Sequence, residues 1–232
     1  MTTVLILVPT PMERDELSLR WISKSSEVQI DVCGFGLVAA AARTSQLIAR
    51  HEPKHVVLLG IAGQLGGGDH VGKVMAFRRV GVLGLGVGAE QFDEPARATS
   101  ESVGKDDSAS LRSPSEMGWE QFQDIGDELT LDATVGVDDA IQGDLLLSVC
   151  AASATPGQAS ARATRYPAAD AEDMEAFAVA FISKLAGVRF SVFRGISNRA
   201  GDRNHSRWCI ESAMDRVVEV LPNVLAAAGV RR

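Results

Sequence analysis

The sequence predicts an α/β fold: a single domain over residues 1–232 in which a twisted mixed β-sheet is flanked by helices. Short apolar runs of strand length, such as residues 4–8 and 55–60, alternate with longer segments of helical periodicity. With 232 residues, 46% of them hydrophobic, the chain is long enough to bury one substantial core. We find neither an internal repeat nor a linker that would separate a second domain.

The predicted elements follow one another closely along the chain. Thr10 is the expected N-cap of a first helix that starts at Pro11, and Pro53 ends an Ala-rich helix over residues 37–51. Residues 93–118 are rich in Ser, Glu and Asp without periodicity, which predicts a surface loop. Further strands are expected at residues 28–33, 74–80, 82–85, 129–137 and 145–150, and further helices at residues 158–165 and 205–228.

The composition excludes several classes of partner. A formal net charge of -7 argues against nucleic acid or an anionic membrane surface. No apolar run approaches the ~20 residues of a membrane helix, and the opening residues lack a basic leader. Cys33, Cys150 and Cys209 are odd in number and scattered, which predicts reduced thiols and a cytoplasmic location. The histidines share no helical face, so we predict neither a metal nor another cofactor.

One acid and one amide stand out in the C-terminal third of the chain. A helix is predicted to begin at Asp170 and a short strand to cover residues 190–193. Glu175 borders the apolar face of that helix, where it either turns out to water or is buried and aimed at a ligand. Ser197 and Asn198 follow the strand, and ligands of α/β sheets bind at the carboxyl ends of strands.

The glycine-rich segments give weaker signals. Gly34-Phe-Gly36 partly fits a dinucleotide-binding fingerprint, but the next strand ends in Leu58-Leu-Gly60 without the acid that should follow, so a tight turn is favoured. The segment Gly60-Ile-Ala-Gly63 could present backbone amides to an anion. Residues 60–68 contain no Lys, Ser or Thr to support a phosphate there.

Together, the polar residues at strand ends suit cleavage of a glycosidic bond. They are Glu13 or Asp15 after the first strand, Glu175, and Asn198. The reaction passes through a cation-like sugar, so one carboxylate can stabilise the sugar while another activates water. A hydrogen-bond donor can assist the leaving group as negative charge develops on it.

Five motifs in this order resemble the nucleoside phosphorylase/nucleosidase superfamily. They are Val8-Pro-Thr10 with Glu13, Gly34-Phe-Gly36, Leu59-Gly-Ile-Ala-Gly63, Glu172-Asp-Met-Glu175 and Arg194-Gly-Ile-Ser-Asn198. With Trp208, the last two motifs are most similar to the futalosine hydrolase branch. The resemblance implies a homo-oligomer that acts on a small nucleoside with water and without a cofactor.

The resemblance also implies roles for single residues. Glu175 would hold the ribose hydroxyls above Met174, and Glu13 or Asp15 would activate the water; the sequence leaves this choice open. Further substrate contacts are implied for Ile61, Ala62, Gly63, Ser153, Asp173 and Ser197.

Asn198 stands where adenine-specific relatives carry Asp. An amide can donate a hydrogen bond to a 6-oxopurine and cannot ionise, so we expect a base such as hypoxanthine, as in futalosine. Arg203 would bind a carboxylate of the substrate or form a salt bridge to Asp202 or Glu211. The alternatives are a purine nucleoside phosphorylase, a methylthioadenosine/S-adenosylhomocysteine-type nucleosidase, and an inactive nucleoside-binding protein.

Overall fold

The computed structural model describes residues 2–21, 25–88, 111–131 and 139–230, and the elements below lie in those ranges. The strands are β1 (Val4–Val8), β2 (Val28–Val32), β3 (His55–Gln64), β4 (Val74–Leu83), β5 (Val87–Gly88), β6 (Leu111–Arg112), β7 (Glu128–Thr130), β8 (Ile141–Val149), β9 (Ala169–Asp173) and β10 (Arg189–Arg199). The helices are α1 (Pro11–Arg20), α2 (Leu37–His51), α3 (Pro156–Arg165), α4 (Ala176–Leu185) and α5 (Ile210–Ala227). The predicted α/β fold with a mixed sheet and flanking helices is confirmed.

The main sheet is organised around β3. This strand is parallel to β1 and β10 and antiparallel to β9. Strand β4 joins β10 to β8, and β8 in turn pairs with β9. Strands β3, β10, β4, β8 and β9 therefore close into a ring, while β1 and β2 extend from β3 as an open wing.

One edge of β3 changes its partner midway along the strand. Pairing with β1 ends at Leu58, and pairing with β9 begins at Gly63. The opposite edge pairs with β10 over the full length of the strand, from His55 to Gln64. The change of partner opens a gap beside Gly60 and Ile61, just beyond the carboxyl end of β1, which side chains can enter.

Apolar side chains cover both faces of the sheet, as strand alternation requires. Val56 and Leu58 of β3 pack in one buried cluster that includes residues of α2 and α4. Val57 and Leu59 point the other way, into a second cluster with residues of α1 and α5. Within the described ranges, no helix is both long and apolar enough to span a membrane.

The sequence prediction of a helix that begins at Asp170 is wrong. Residues Ala169–Asp173 form strand β9, and helix α4 begins only at Ala176. Strand β9 fills the place between β8 and the end of β3, so sheet pairing overrides the helical preference of its Ala and Glu residues. Glu175 is therefore the N-cap residue of α4 instead of lying inside a helix.

Other boundaries also differ from the sequence prediction. Strands β3 and β10 run beyond the predicted ends because they pair with each other in parallel along their whole length. The two strands expected at 74–80 and 82–85 form the single strand β4, and the closing helix starts at Ile210 after a short 3-10 turn at His205–Arg207. Residues 93–110 of the predicted loop and 132–137 of a predicted strand lie outside the described residues.

Candidate active site

Glu13 enters the gap in β3 from the start of α1. Thr10 caps this helix by accepting a hydrogen bond from the Glu13 amide at 3.2 Å, as the sequence predicts. In an ordinary capping box the acid three residues after the cap bonds back to the backbone of the cap. Here Glu13 Oε1 accepts from the Ile61 amide at 3.0 Å, and Oε2 accepts from the Thr10 hydroxyl at 2.6 Å. The buried carboxylate therefore satisfies a backbone amide that the sheet leaves open.

Arg194 reaches the same gap from β10 and is fully buried, with 0% of its surface exposed. Its guanidinium crosses over Gly60 and donates to the Leu59 carbonyl at 3.1 Å. A Cβ on Gly60 would lie 2.4 Å from Nη1 of Arg194 and 2.5 Å from Oε1 of Glu13. Gly60 also has a φ of +147°, which side chains rarely adopt, so only glycine lets the acid and the guanidinium approach each other here.

Two further acids complete the cluster around Arg194. Asp173, at the end of β9, and Glu175 accept from Arg194 Nη2 at 2.5 and 3.3 Å, and both carboxylates are buried. Asp173 also accepts from the Ser148 hydroxyl at 2.6 Å and from the Ala176 amide at 2.9 Å. Because Asp173 and Ser148 bond the first amides of α4, Glu175 is free to turn away from its own helix.

Glu175 turns toward the second glycine of the Gly34-Phe-Gly36 turn. Its Oε1 accepts from the Gly36 amide at 3.0 Å, so this turn holds a catalytic candidate in place. Burial, followed by repulsion from Asp173, raises the pKa of Glu175 from 4.5 to about 7, against the opposing effects of Arg194 and the Gly36 amide. The buried reading of Glu175 in the sequence is thus the one that the structure favours.

Ser197 and Asn198 lie at the far end of β10. The buried Ser197 hydroxyl donates to Asn198 Oδ1 at 2.8 Å, and Asn198 Nδ2 donates to the Arg199 carbonyl at 2.8 Å. An amide nitrogen carries two hydrogens, so the half-buried Asn198 retains one donor for a ligand. The Ser197 hydroxyl is also 3.3 Å from the Ala62 carbonyl, which ties the end of β10 to β3.

The structure separates Asp15 from the cluster. Its carboxylate is exposed on α1 and pairs with Arg14 at 2.8 Å, whereas Glu13 points inward. The remaining predicted contact residues line the same end of the sheet: Ile61 through its amide, Ala62 and Gly63 along β3, and the partly buried Met174 between Asp173 and Glu175.

Arg203 lies beside Trp208, and Ser153 lies beside Glu172. The Arg203 guanidinium lies 5.8 Å from the centre of the Trp208 ring, and Asp202 instead pairs with Arg207 at 2.8 Å. Arg203 lines a cavity of about 640 Å³ between α3 and the turn after β10. The amide and the hydroxyl of Ser153 both donate to the carboxylate of Glu172.

Sequence reasoning missed the residues that assemble the cluster. Arg194 entered the sequence prediction only as part of a motif. The bonds that Thr10, Ser148 and the Gly36 amide donate to the acidic side chains of the cluster were not predicted. A single Arg within the apolar run Phe190-Ser-Val-Phe-Arg194 is a usable signal, because a buried Arg requires carboxylate partners. Among the residues that the structure describes, no cluster of three or more His, Cys, Asp or Glu could hold a metal ion.

The arrangement supplies what a glycosidic cleavage requires. Three buried carboxylates, from Glu13, Asp173 and Glu175, surround one guanidinium where β1 and β9 end, beside the middle of β3 and β10. The excess of acid suits a ligand that becomes positively charged, and the site lies within a fold that binds ligands at this edge. These features define an enzyme of the kind that cleaves nucleosides.

Comparison with known proteins gives the family. A model of the Phosphorylase superfamily matches residues 16–228, so the chain belongs to this superfamily. A futalosine hydrolase from Thermus thermophilus is 30% identical over 198 residues, which cover 84% of this chain and 80% of the relative. A second, from Acidothermus cellulolyticus, is 38% identical over 84 residues, covering 36% of this chain and 33% of the relative.

Solved structures share the fold. A 5'-methylthioadenosine/S-adenosylhomocysteine nucleosidase from Helicobacter pylori superposes with a TM-score of 0.73 at 14% identity, covering 98% of this chain and 99% of the other. Futalosine hydrolase from the same organism superposes with a TM-score of 0.72 at 13% identity, covering 97% and 98%. At these identities the likeness establishes the fold alone. The sequence relatives support the prediction of a nucleoside N-glycosyl hydrolase.

Proposed function

We propose that this chain hydrolyses the N-glycosidic bond of a 6-oxopurine nucleoside, with futalosine as the substrate and hypoxanthine as the released base. The observation that carries this proposal is the buried pair of acids, Glu13 and Glu175, held on either side of Arg194 at the gap in β3. The relative from Thermus thermophilus supports futalosine as the first substrate to test.

The two acids take different roles. Glu175, aligned by the Gly36 amide, holds the ribose hydroxyls and stabilises the positive charge that develops on the sugar. Glu13, fixed by Ile61 and Thr10, accepts a proton from the attacking water. The water oxygen bonds to the anomeric carbon, the bond to the base breaks, and the base leaves with its electron pair and takes up a proton. Glu13, and not the exposed Asp15, is the acid that we assign to water.

The hydrogen bonds of β3 favour hydrolysis over phosphorolysis. The Ile61 amide, which could otherwise serve an anion, already donates to Glu13. Residues 60–68 also provide no Lys, Ser or Thr side chain for a phosphate. A phosphate placed here would meet the carboxylates of Glu13 and Glu175, so water is the better nucleophile.

The base is recognised at the end of β10, and the far end of the substrate is recognised by the turn that follows this strand. The free hydrogen of Asn198 Nδ2 donates to N7 or O6 of the 6-oxopurine, while Ser197 holds the other end of the amide. Arg203, stacked on Trp208 at the border of the cavity, binds a carboxylate of the substrate. We also propose that the protein is a single domain, that it forms a homo-oligomer and that it is located in the cytoplasm.

The deciding experiment incubates the protein with futalosine, aminodeoxyfutalosine, inosine and methylthioadenosine, each with and without phosphate, and measures the released base and sugar. We expect hypoxanthine from futalosine at a rate that phosphate leaves unchanged. Formation of ribose 1-phosphate from inosine would assign a phosphorylase, and preference for methylthioadenosine would assign the adenine-specific nucleosidase. No release from any nucleoside, together with tight binding, would assign a binding protein.

A further inference from the structure

Glu172 is a buried carboxylate that the proposed reaction does not use. It lies on β9 next to Asp173, and only 4% of its surface is exposed. Because neighbouring side chains on a strand point to opposite faces, Glu172 faces α3 while Asp173 faces Arg194. Glu172 pairs with Gly63 of β3 on one side and with Leu147 of β8 on the other, so its backbone is fixed at the end of the sheet.

The carboxylate of Glu172 joins three separate parts of the chain. Oε1 accepts from the Ser153 amide at 2.7 Å, and Oε2 accepts from the Ser153 hydroxyl at 2.8 Å and from Arg162 of α3 at 2.8 Å. Arg162 also donates to the Ser153 hydroxyl at 3.0 Å, and all three residues are buried. A buried ion pair is costly unless hydrogen bonds satisfy it, and this one is bonded at both oxygens.

The segment that Glu172 anchors connects two parts of the candidate site. We call it the anchored loop, residues 150–155. It leaves β8 just after Ser148, whose hydroxyl binds Asp173. It ends at Thr155, whose carbonyl would be 2.3 Å from a Cβ on Gly201. Gly201 lies in the turn that follows β10, so the anchored loop packs directly against the segment next to the base-reading amide of Asn198.

We propose that Glu172 is a positioning residue for binding of the base, and that Ser153 is its anchor point instead of a contact to substrate. Glu172 fixes the anchored loop through Ser153, the loop supports the turn after β10 at Gly201, and this places Asn198. The inference rests on the proposed function, because it assumes that the base binds between these two segments.

The test replaces Glu172 with Gln, which keeps the shape but turns an NH2 group toward donors that the carboxylate accepted from. Binding of hypoxanthine is measured by calorimetry, and kcat and KM are measured with futalosine. We expect the Kd for hypoxanthine and the KM each to rise about tenfold while kcat falls less than about threefold. The control is Glu128→Gln. Glu128 is an exposed residue of β7 that pairs with Arg79 of β4, and its replacement should leave the Kd for hypoxanthine, the KM and kcat unchanged.

Four outcomes separate the inference from its rivals and from the proposed function. Urea titration first establishes whether Glu172→Gln is folded. If it is folded and its Kd for hypoxanthine equals that of the unchanged protein, the inference is wrong. A fall in kcat alone, with KM and Kd unchanged, would show a general structural role and also overturn it. If Glu172→Gln does not fold, Ser153→Ala decides in the same way: it removes the bonds of the hydroxyl to Glu172 and Arg162, keeps the amide bond to Glu172, and should weaken hypoxanthine binding about threefold. Failure of the unchanged protein to release or bind hypoxanthine would instead refute the proposed function.

Discussion

Replacing Glu175 with Gln tests the electrostatics of the site without any substrate. Burial and the charge of Asp173 raise the pKa of the Glu175 carboxyl to about 7, from the ordinary 4.5. The folded protein therefore holds this proton more tightly than the unfolded chain does. The stability that this group contributes is fully present below about pH 4.5 and is lost as the pH rises toward 7.

The size of the effect follows from the interval between the two pKa values. At about 1.4 kcal/mol per pH unit, ionisation of Glu175 costs the folded state roughly 3 kcal/mol at pH 8.5, and less than about 1 kcal/mol at pH 5. Gln cannot ionise and can still accept from the Gly36 amide. Glu175→Gln should thus be more stable than the unchanged protein at pH 8.5 by up to roughly 3 kcal/mol, while its turnover falls ~100- to 10,000-fold.

The assay is urea unfolding followed by tryptophan fluorescence at pH 5 and pH 8.5, at one protein concentration. The matched control is Asp15→Asn, an exposed acid on α1, whose effect should be within about 0.5 kcal/mol and equal at both pH values. If Glu175→Gln changed the free energy of unfolding equally at pH 5 and pH 8.5, the carboxylate would not be buried among acids, and the electrostatic account would be wrong.

Four further substitutions test the rest of the site, each by kcat/KM. Gly60→Ala places a Cβ 2.4 Å from the buried guanidinium and should cost at least about 100-fold; a smaller loss would contradict the close approach. Glu13→Gln should lose ~100-fold or more and Asp15→Asn little, and the reverse order would move the water to Asp15. Asn198→Asp should lower the ratio of hypoxanthine to adenine nucleoside turnover, because an ionised carboxylate offers no donor to O6 or N7; an unchanged ratio would remove the assigned base contact. Arg203→Ala should weaken futalosine far more than inosine, whereas equal losses would point to a structural role.

Local signals in the sequence predicted the elements that have local causes. Helix α2 matches its predicted bounds, residues 37–51, because a glycine turn precedes it and Pro53 follows it closely. Thr10 caps α1 as predicted, since Thr before Pro is a signal contained within a few residues. The acids Glu13 and Glu175 could be selected because they stand at the junctions of elements, although the sequence alone left Asp15 as a rival.

The parts that could not be predicted depend on long-range pairing. Strand β9 reads Ala-Asp-Ala-Glu-Asp, a composition that favours a helix start, and only its place between β8 and β3 makes it a strand. The same holds for the buried contacts of Ser153, whose amide and hydroxyl bond to Glu172. Its partners Glu172 and Arg162 are distant in sequence, and nothing local marks them as a pair.

The candidate site arises from a change of partner within the sheet. Where β3 passes from β1 to β9, the Ile61 amide and the Leu59 carbonyl bond to side chains, namely Glu13 and Arg194. Buried backbone groups require partners, so Glu13 stabilises the fold in addition to the proposed role with water. Glu175 differs, because its raised pKa shows that its charge costs the folded state stability. Loss of the Glu13 carboxylate should therefore lower stability and activity together, whereas loss of the Glu175 carboxylate should lower activity and raise stability above neutral pH. Both acids accept from a backbone amide, so the opposite effects on stability would distinguish an acid whose bonds stabilise the fold from an acid whose charge the fold carries at a cost.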